Sequence, residues 1–307
     1  MQRRRCRRVD RRWVVLVFAL FAADTARLAA AQTAPDIPAW QKAAGGPMQF
    51  EVASIREDNG PFEPPTFALS ADDWFREPNG RFHADFTVAS YITFAYKLWV
   101  TSEEQDLMLA HAPAWVKTTR FKIEATAPLH ATKDQYRLMM QSLLADRFGL
   151  KIHFEEHELP VFEMMLLKTG QPGPKLVPHA QGTDCDAKAT PDVFPPFCYG
   201  YMATAKDGGW MAGSRATSLE RIGNFLGTIG ESTGETGRPV VDKTGLSGLW
   251  DFTLWAQAPG QKTDSDTVQQ APTILEAIRD QLGLKLRPAK GTIPVLIVDR
   301  IDRPSEN

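Results

Sequence analysis

LADRFGLKIHFEEHELPVFEM, residues 144–164, returns 134 positions later as IRDQLGLKLRPAKGTIPVLIV, residues 278–298, without a gap. Asp146, Gly149, Leu150, Lys151, Pro160 and Val161 stand opposite Asp280, Gly283, Leu284, Lys285, Pro294 and Val295. Upstream, PAWVKTTRFKIEATAP (113–128) aligns with TGLSGLWDFTLWAQAP (244–259), where Phe121, Ala125, Ala127 and Pro128 recur as Phe252, Ala256, Ala258 and Pro259. The offset there is 131, so a three-residue indel separates the two blocks. Self-similarity of this kind predicts two tandem copies of one module.

Each copy reads as mixed helix and strand. FEVASI (50–55) and RFKIEAT (120–126) alternate like strands, and Val88, Tyr91, Ile92 and Ala95 form a helical stripe. Thr132 with Gln135 makes a capping box for a helix whose apolar face ends at Gly149. In the second copy, Leu219, Ile222, Phe225 and Ile229 mark one helix, and Thr273 with Glu276 caps another that stops at Gly283. The fold class expected is α+β, two tandem modules, each with two helices packed on a small mixed or antiparallel sheet. The boundaries are 1–31 for an export signal and 32–47 for a flexible Ala/Pro/Gly-rich arm. The first module then takes 48–170, a Pro/Gly-rich linker 171–196, and the second module 197–303.

The opening stretch also contains His153, Glu156 and His157 in the order H-x-x-E-H, the spelling of an inverted zinc-protease motif. That chemistry needs a helix, because only helical i, i+4 spacing brings both imidazoles to one ion. Here the helix has stopped at Gly149 and the pattern has turned to period two. On a straight strand the two histidines would stand about 13 Å apart at ~3.3 Å per residue. The second copy places Pro288 and Gly291 in the matching region, so the reading is a hairpin: LKIHF, a polar turn, then VFEMMLL. No metal site and no cofactor are assigned. A second decoy is Asp242-Lys243-Thr244-Gly245, which spells the phosphorylation motif of ion pumps without their membrane helices or nucleotide domain. Asp242 ends a short strand, and Asp242, Thr244 and Gly245 read as an Asx-type turn. No G-x-S-x-G elbow, phosphate-binding glycine loop or paired C-x-x-C is present, so no catalytic residue is assigned.

Seven arginines between Arg3 and Arg12 precede the short apolar run Trp13 to Ala23, and Ala29-Ala30-Ala31 follows as a cleavage site. This is an export signal and is too short for a membrane span. The formal charge of the chain is −2, but residues 1–31 hold eight arginines and two aspartates, so the mature chain carries −8. That balance argues against nucleic acid as a partner and, with no long apolar segment, against stable membrane insertion. Two cysteines remain after cleavage, Cys185 and Cys198, and two thiols in an oxidising compartment predict one disulfide closing a surface loop. Trp74, in the loop SADDWFREPNG, is a candidate for a binding surface.

Over nearly the whole mature chain, the succession FEVASI, TRFKIEATAP, MMQSLLADRFGLKIHFEEHELPVFEMML, GRPVVDKTGLSGLWDFTL and the closing RPSEN resembles a family expanded in soil Acidobacteria and known only as a domain of unknown function. That resemblance implies no activity and no catalytic residues. Related domains of the family are joined to membrane sensor metallopeptidases, which implies a link to sensing. The module, with its L-x-x-I-x-x-F helix, PVV-D strand, second helix and a closing hairpin that pairs LKLRP with PVLIVD, is also similar to the short N-terminal domain of secretins and TonB-dependent receptors, which implies periplasmic protein partners. The function expected is an exported, non-catalytic protein, periplasmic or secreted, that binds an envelope protein or a small ligand. The alternative is an extracytoplasmic hydrolase with a site between the modules. Convergent carboxylates in a cleft would favour the hydrolase, and a continuous apolar or aromatic groove would favour binding.

Overall fold

The computed structural model describes residues 38–182, 185, 193–234, 237–258 and 271–304. The expected export signal (1–31), the start of the arm, most of the Cys185–Cys198 loop and the final Ser-Glu-Asn lie outside the described residues. In chain order the first elements are α1 (Ala39–Ala43), β1 (Val52–Glu57), β2 (Arg81–Thr87), α2 (Val88–Ala95), α3 (Ser102–Met108), α4 (Trp115–Thr118), β3 (Arg120–Thr126) and α5 (Lys133–Phe148). There follow β4 (Lys151–Leu166), β5 (Leu176–Pro178), β6 (Tyr201–Lys206), β7 (Gly209–Thr217), α6 (Leu219–Thr233), β8 (Val240–Asp242), β9 (Trp250–Ala256), α7 (Ile274–Leu282) and β10 (Leu284–Arg300). The fold is mixed α+β, with seven helices and three sheets among the described residues.

The helix ends follow from local chemistry. Thr132 Oγ1 accepts the Gln135 N–H while Gln135 Oε1 accepts the Thr132 N–H, closing a capping box at the start of α5. Thr273 and Glu276 do the same for α7. Both helices stop at a glycine in the left-handed region, Gly149 (φ 59°) and Gly283 (φ 66°), where a β-carbon is disfavoured.

Two of the sheets are antiparallel, one in the order β1-β3-β2 and the other β5-β9-β7-β6. A large core lies over the first, built from Tyr91, Ile92 and Phe94 of α2, Tyr136, Met140 and Leu144 of α5, and Phe82 and Ile123 of the sheet. A second core lies over the other, with Ile222 and Leu226 of α6, Ile274 and Ile278 of α7, and Phe252 and Leu254 of β9. β5 falls inside the segment read as linker, and its Leu176 is buried in the second core.

The third sheet corrects the hairpin reading. LKIHF and VFEMMLL are not two strands joined by a turn. β4 runs straight through all sixteen residues and pairs antiparallel with β10, from Leu284↔Leu166 to Val298↔Ile152. The closing segment of the chain is likewise one strand and not a hairpin. The prolines that suggested a turn are harmless in this register. Phe162 N–H points away from β10, to the Pro239 carbonyl on the β8 side. Pro160 lies two residues earlier, and Pro288 and Pro294 pair with Phe162 and Glu156, so all three prolines sit where the nitrogen faces away from the partner strand. No ladder hydrogen bond is lost. Each long strand also serves both cores. Leu150 and Ile152 pack in the first core while Phe162, Met164 and Leu166 pack in the second, and β10 reverses this, with Leu284 and Leu286 in the second and Leu296 and Val298 in the first.

Candidate functional site

Residues 70–74 carry charge into the contact between the two cores. Lys133, fully enclosed at the start of α5, donates to Ser70 Oγ (2.9 Å), Asp72 Oδ1 (2.8 Å) and the Trp74 carbonyl (3.0 Å). Arg137, one turn on, reaches Asp73 (3.2 Å), Asp134, and the carbonyls of Ser70 and Asp72. Asp73 also meets Lys97 at 2.5 Å and Arg221 of α6 at 2.7 Å. Burial would raise the Asp73 carboxyl, but the Lys97 and Arg221 cations outweigh it and hold the group at about 2. Burial pulls Lys133 down to about 8, against the Asp72 charge that supports its ammonium. Three carboxylates thus converge between the halves, as a hydrolase would need, yet each is engaged by a cation. Such a carboxylate is a poor general acid and a blunted base. The cluster has the chemistry of a clamp.

A groove of different character runs across the β5-β9-β7-β6 sheet on the side away from its helices. Alternation along β9 buries Trp250, Phe252, Leu254 and Ala256, and turns Asp251, Thr253 and Trp255 the other way. Two adjoining recesses, of about 520 and 700 Å³, share Lys175, Lys206, Met211 and Thr253. Phe194 and Arg215 bound one end, and Trp255 and Gln281 the other.

The groove is held by backbone contacts. Lys175 N–H donates to Gln281 O (2.8 Å), and Lys175 O accepts the Thr253 N–H (3.1 Å), fixing the Lys175 backbone between α7 and β9. The Gln281 side chain accepts the Trp255 N–H (2.9 Å) and donates to the Trp255 carbonyl (2.7 Å). The Trp255 indole donates to Lys206 O (3.0 Å). Lys206 closes the β6–β7 ladder at a two-residue turn, Asp207-Gly208, whose φ values of 46° and 72° are those a tight hairpin demands. Among the described residues neither Lys175 nor Lys206 makes an ion pair. Of the two acids in the groove, Asp251 is occupied: its Oδ1 lies 2.7 Å from His179 Nδ1 and accepts the Ala216 N–H at 2.8 Å.

The residues singled out from the sequence fall in separate places. Cys185 and Cys198 are bonded, with Cα atoms 5.0 Å apart, in the loop that brings Val193 and Phe194 to the groove. Asp242 turns on its own backbone, accepting the Thr244 N–H (2.8 Å), while Thr244 Oγ1 accepts the Leu246 N–H (3.2 Å) and Gly245 takes φ 71°. Its carboxylate shapes the chain. Trp74 stacks on Phe197 at 4.1 Å between ring centroids, so much of its apolar face is used inside the molecule. Extended β4 sends His153 and His157 to one face and Glu156 to the other, which separates the three letters of H-x-x-E-H. Sequence reasoning missed Lys175, Lys206, Trp255 and Gln281. Only the Asp-Gly turn beside Lys206 signalled any of them locally.

Comparison with curated proteins and with solved structures returns no match. A family model described as a protein of unknown function, DUF3738, matches residues 89–301, from the first turn of α2 to just beyond β10. That span covers the second core, the helical part of the first and all of the β4/β10 ribbon, and by this match the chain belongs to the DUF3738 family.

Proposed function

We propose that this protein is exported and acts outside the cytoplasm as a non-catalytic binding protein, built from two copies of one module. The ligand is a small molecule, or the end of an envelope protein, with an anionic group beside a flat apolar part. The groove carries the reading: among the described residues Lys175 and Lys206 have no acidic partner, and they line it beside Trp255, whose backbone is held by Gln281 and whose indole donates to the Lys206 carbonyl. Two lysines lining the same recess as a held aromatic ring suit an anion with an apolar flank, because the protein spends little ordering entropy on binding. The saturated carboxylates of Asp72, Asp73 and Asp134 speak against the hydrolase. The disulfide suits an oxidising compartment, and no described helix is long and apolar enough to cross a membrane.

Two features support the tandem reading. With α3 and α4 set aside in the first half and β6 and β8 in the second, the order strand, strand, helix, strand, helix, long strand occurs twice, and the sheet order β1-β3-β2 has its counterpart in β5-β9-β7. In the ribbon, Glu158 pairs with Thr292, and these two are also equivalents at the repeat offset of 134. An approximate two-fold axis through that pair relates the halves, and each module then completes the core of the other.

The test is thermal melting of the mature protein against a panel of anionic aromatic and aliphatic compounds, with the Lys175→Glu/Lys206→Glu double variant alongside. A binding protein gives at least one compound that raises the wild-type midpoint and leaves the variant unmoved. Turnover of a chromogenic ester, amide or phosphate by wild type, lost in Asp73→Asn, would favour the hydrolase instead.

A further inference from the structure

We propose that in its dithiol form this protein binds one divalent ion of the zinc class through Cys185, Cys198 and His179, so that the disulfide and the ion are alternative states of one three-donor corner. Both sulfurs and a ring nitrogen of His179 lie within 4.8 Å of one another. In a tetrahedral centre with bonds of ~2.3 Å to sulfur and ~2.0–2.1 Å to nitrogen, neighbouring donor atoms stand about 3.5–3.8 Å apart. The folded chain therefore gathers the three donors to nearly that scale. Once the S–S bond is cleaved, rotation about the cysteine side chains parts the sulfurs to the same spacing.

The surroundings of His179 point to a ligand role. Its N–H donates to Leu249 O (2.9 Å), which fixes its backbone against the start of β9. Its Nδ1 donates to Asp251 Oδ1 at 2.7 Å, so a carboxylate orients the ring and leaves Nε2 for the ion, the outer-shell arrangement common to metal-binding histidines. The same oxygen accepts the Ala216 N–H at 2.8 Å. Ala216 presents that N–H from φ 54°, a conformation L-residues disfavour, where β7 slips its register against β9. Cys198 is buried, and the next residue, Tyr199, donates its N–H to Arg215 O (2.8 Å). A disulfide that only staples a loop needs no oriented imidazole beside it.

The chemistry balances. An external dithiol gives up two electrons and two protons, becoming a disulfide, and leaves two cysteine thiols. The ion then displaces both thiol protons to solvent, and neutral His179 contributes a lone pair. Two thiolates cancel the charge of the ion, so this largely enclosed corner gains no net charge. Three protein donors leave a fourth position for water or an incoming ligand atom. Asp251 also lines one recess of the groove, but the site needs no ligand there and stands or falls separately from the binding function proposed for it.

The experiment reduces the mature protein with a phosphine, removes the reductant by gel filtration under argon, and titrates zinc against a chromophoric chelator. Reduced wild type binds one ion per chain, and the oxidised protein binds none at the same concentrations. Cobalt(II) in place of zinc gives sulfur-to-metal charge-transfer absorption. His179→Asn, which keeps a donor for Asp251 but removes the ligand nitrogen, weakens binding by about tenfold or more. Far-UV circular dichroism follows the fold of each reduced protein. A second measurement needs no variant: bound zinc slows re-formation of the disulfide by a mild oxidant about tenfold or more. Absence of stoichiometric binding by the reduced protein, equal binding by the oxidised form, unchanged affinity in His179→Asn, or unfolding on reduction would overturn the site.

Discussion

Arg137 has no exposed side-chain surface, and it contacts two aspartates and two backbone carbonyls. Removing such a cation leaves its partners enclosed and unpaired, at a cost of about 3–5 kcal/mol. Arg137→Met is therefore expected to lose that much in urea unfolding. Arg221→Met, at the partly exposed rim of the same cluster, is expected to lose about 1 kcal/mol or less. Acid unfolding should report the cluster too. Asp73 titrates from 3.8 when unfolded to about 2 when folded, so its pairing contributes fully above about pH 4 and is lost as pH falls towards 2. In Asp73→Asn that part of the acid transition should disappear. None of this was legible in the sequence. Lys133 and Arg137 sit on α5 beside the apolar stripe, and a lone pass along the chain assigns such residues to solvent. They are buried because residues 70–74, some sixty positions away, bring acids and carbonyls to meet them.

At the scale of elements, the two equivalent helix stops have different surroundings. Gly149 and Gly283 share a left-handed φ, which costs any L-residue about 1–2 kcal/mol. A β-carbon on Gly149 would meet only the Asp302 side chain, at 3.0 Å, and that can swing aside. On Gly283 it would lie 2.4 Å from the Gly173 backbone nitrogen, where the chain itself must move. Gly149→Ala should cost about 1–2 kcal/mol in urea unfolding, and Gly283→Ala distinctly more, by at least ~1 kcal/mol. Equal losses would show that the Gly173 approach is soft. The helix stops were readable because capping and positive φ are local properties. The partner crowding Gly283 was not, since it comes from a segment more than a hundred residues earlier.

For the whole molecule, the exchange of strand ends has a direct consequence. The first core includes Leu296, Val298 and Ile301 from the far end of the chain. A fragment of residues 38–170, which corresponds to the first expected module with part of its arm, lacks them. It should give no cooperative thermal transition alone, and should regain one when a fragment of residues 171–304 is added. A sharp, independent melt of 38–170 would mean that the core closes without the ribbon. Sequence by itself determined the mixed α+β class, the capped helices and their glycine stops, the alternating strands and the pairing of Cys185 with Cys198. Each of these is decided within a few residues, or, for the cysteine pair, by the expectation that Cys6 leaves with the export signal. Tertiary structure alone decided that the chain runs straight past Pro160, that β4 finds its partner in β10, and that Lys175, Lys206 and Trp255 share a groove. Period-two alternation is satisfied equally by a strand that turns back and one that runs on. Only pairing with a strand more than a hundred residues away, in a register that turns every proline nitrogen outward, distinguishes the two.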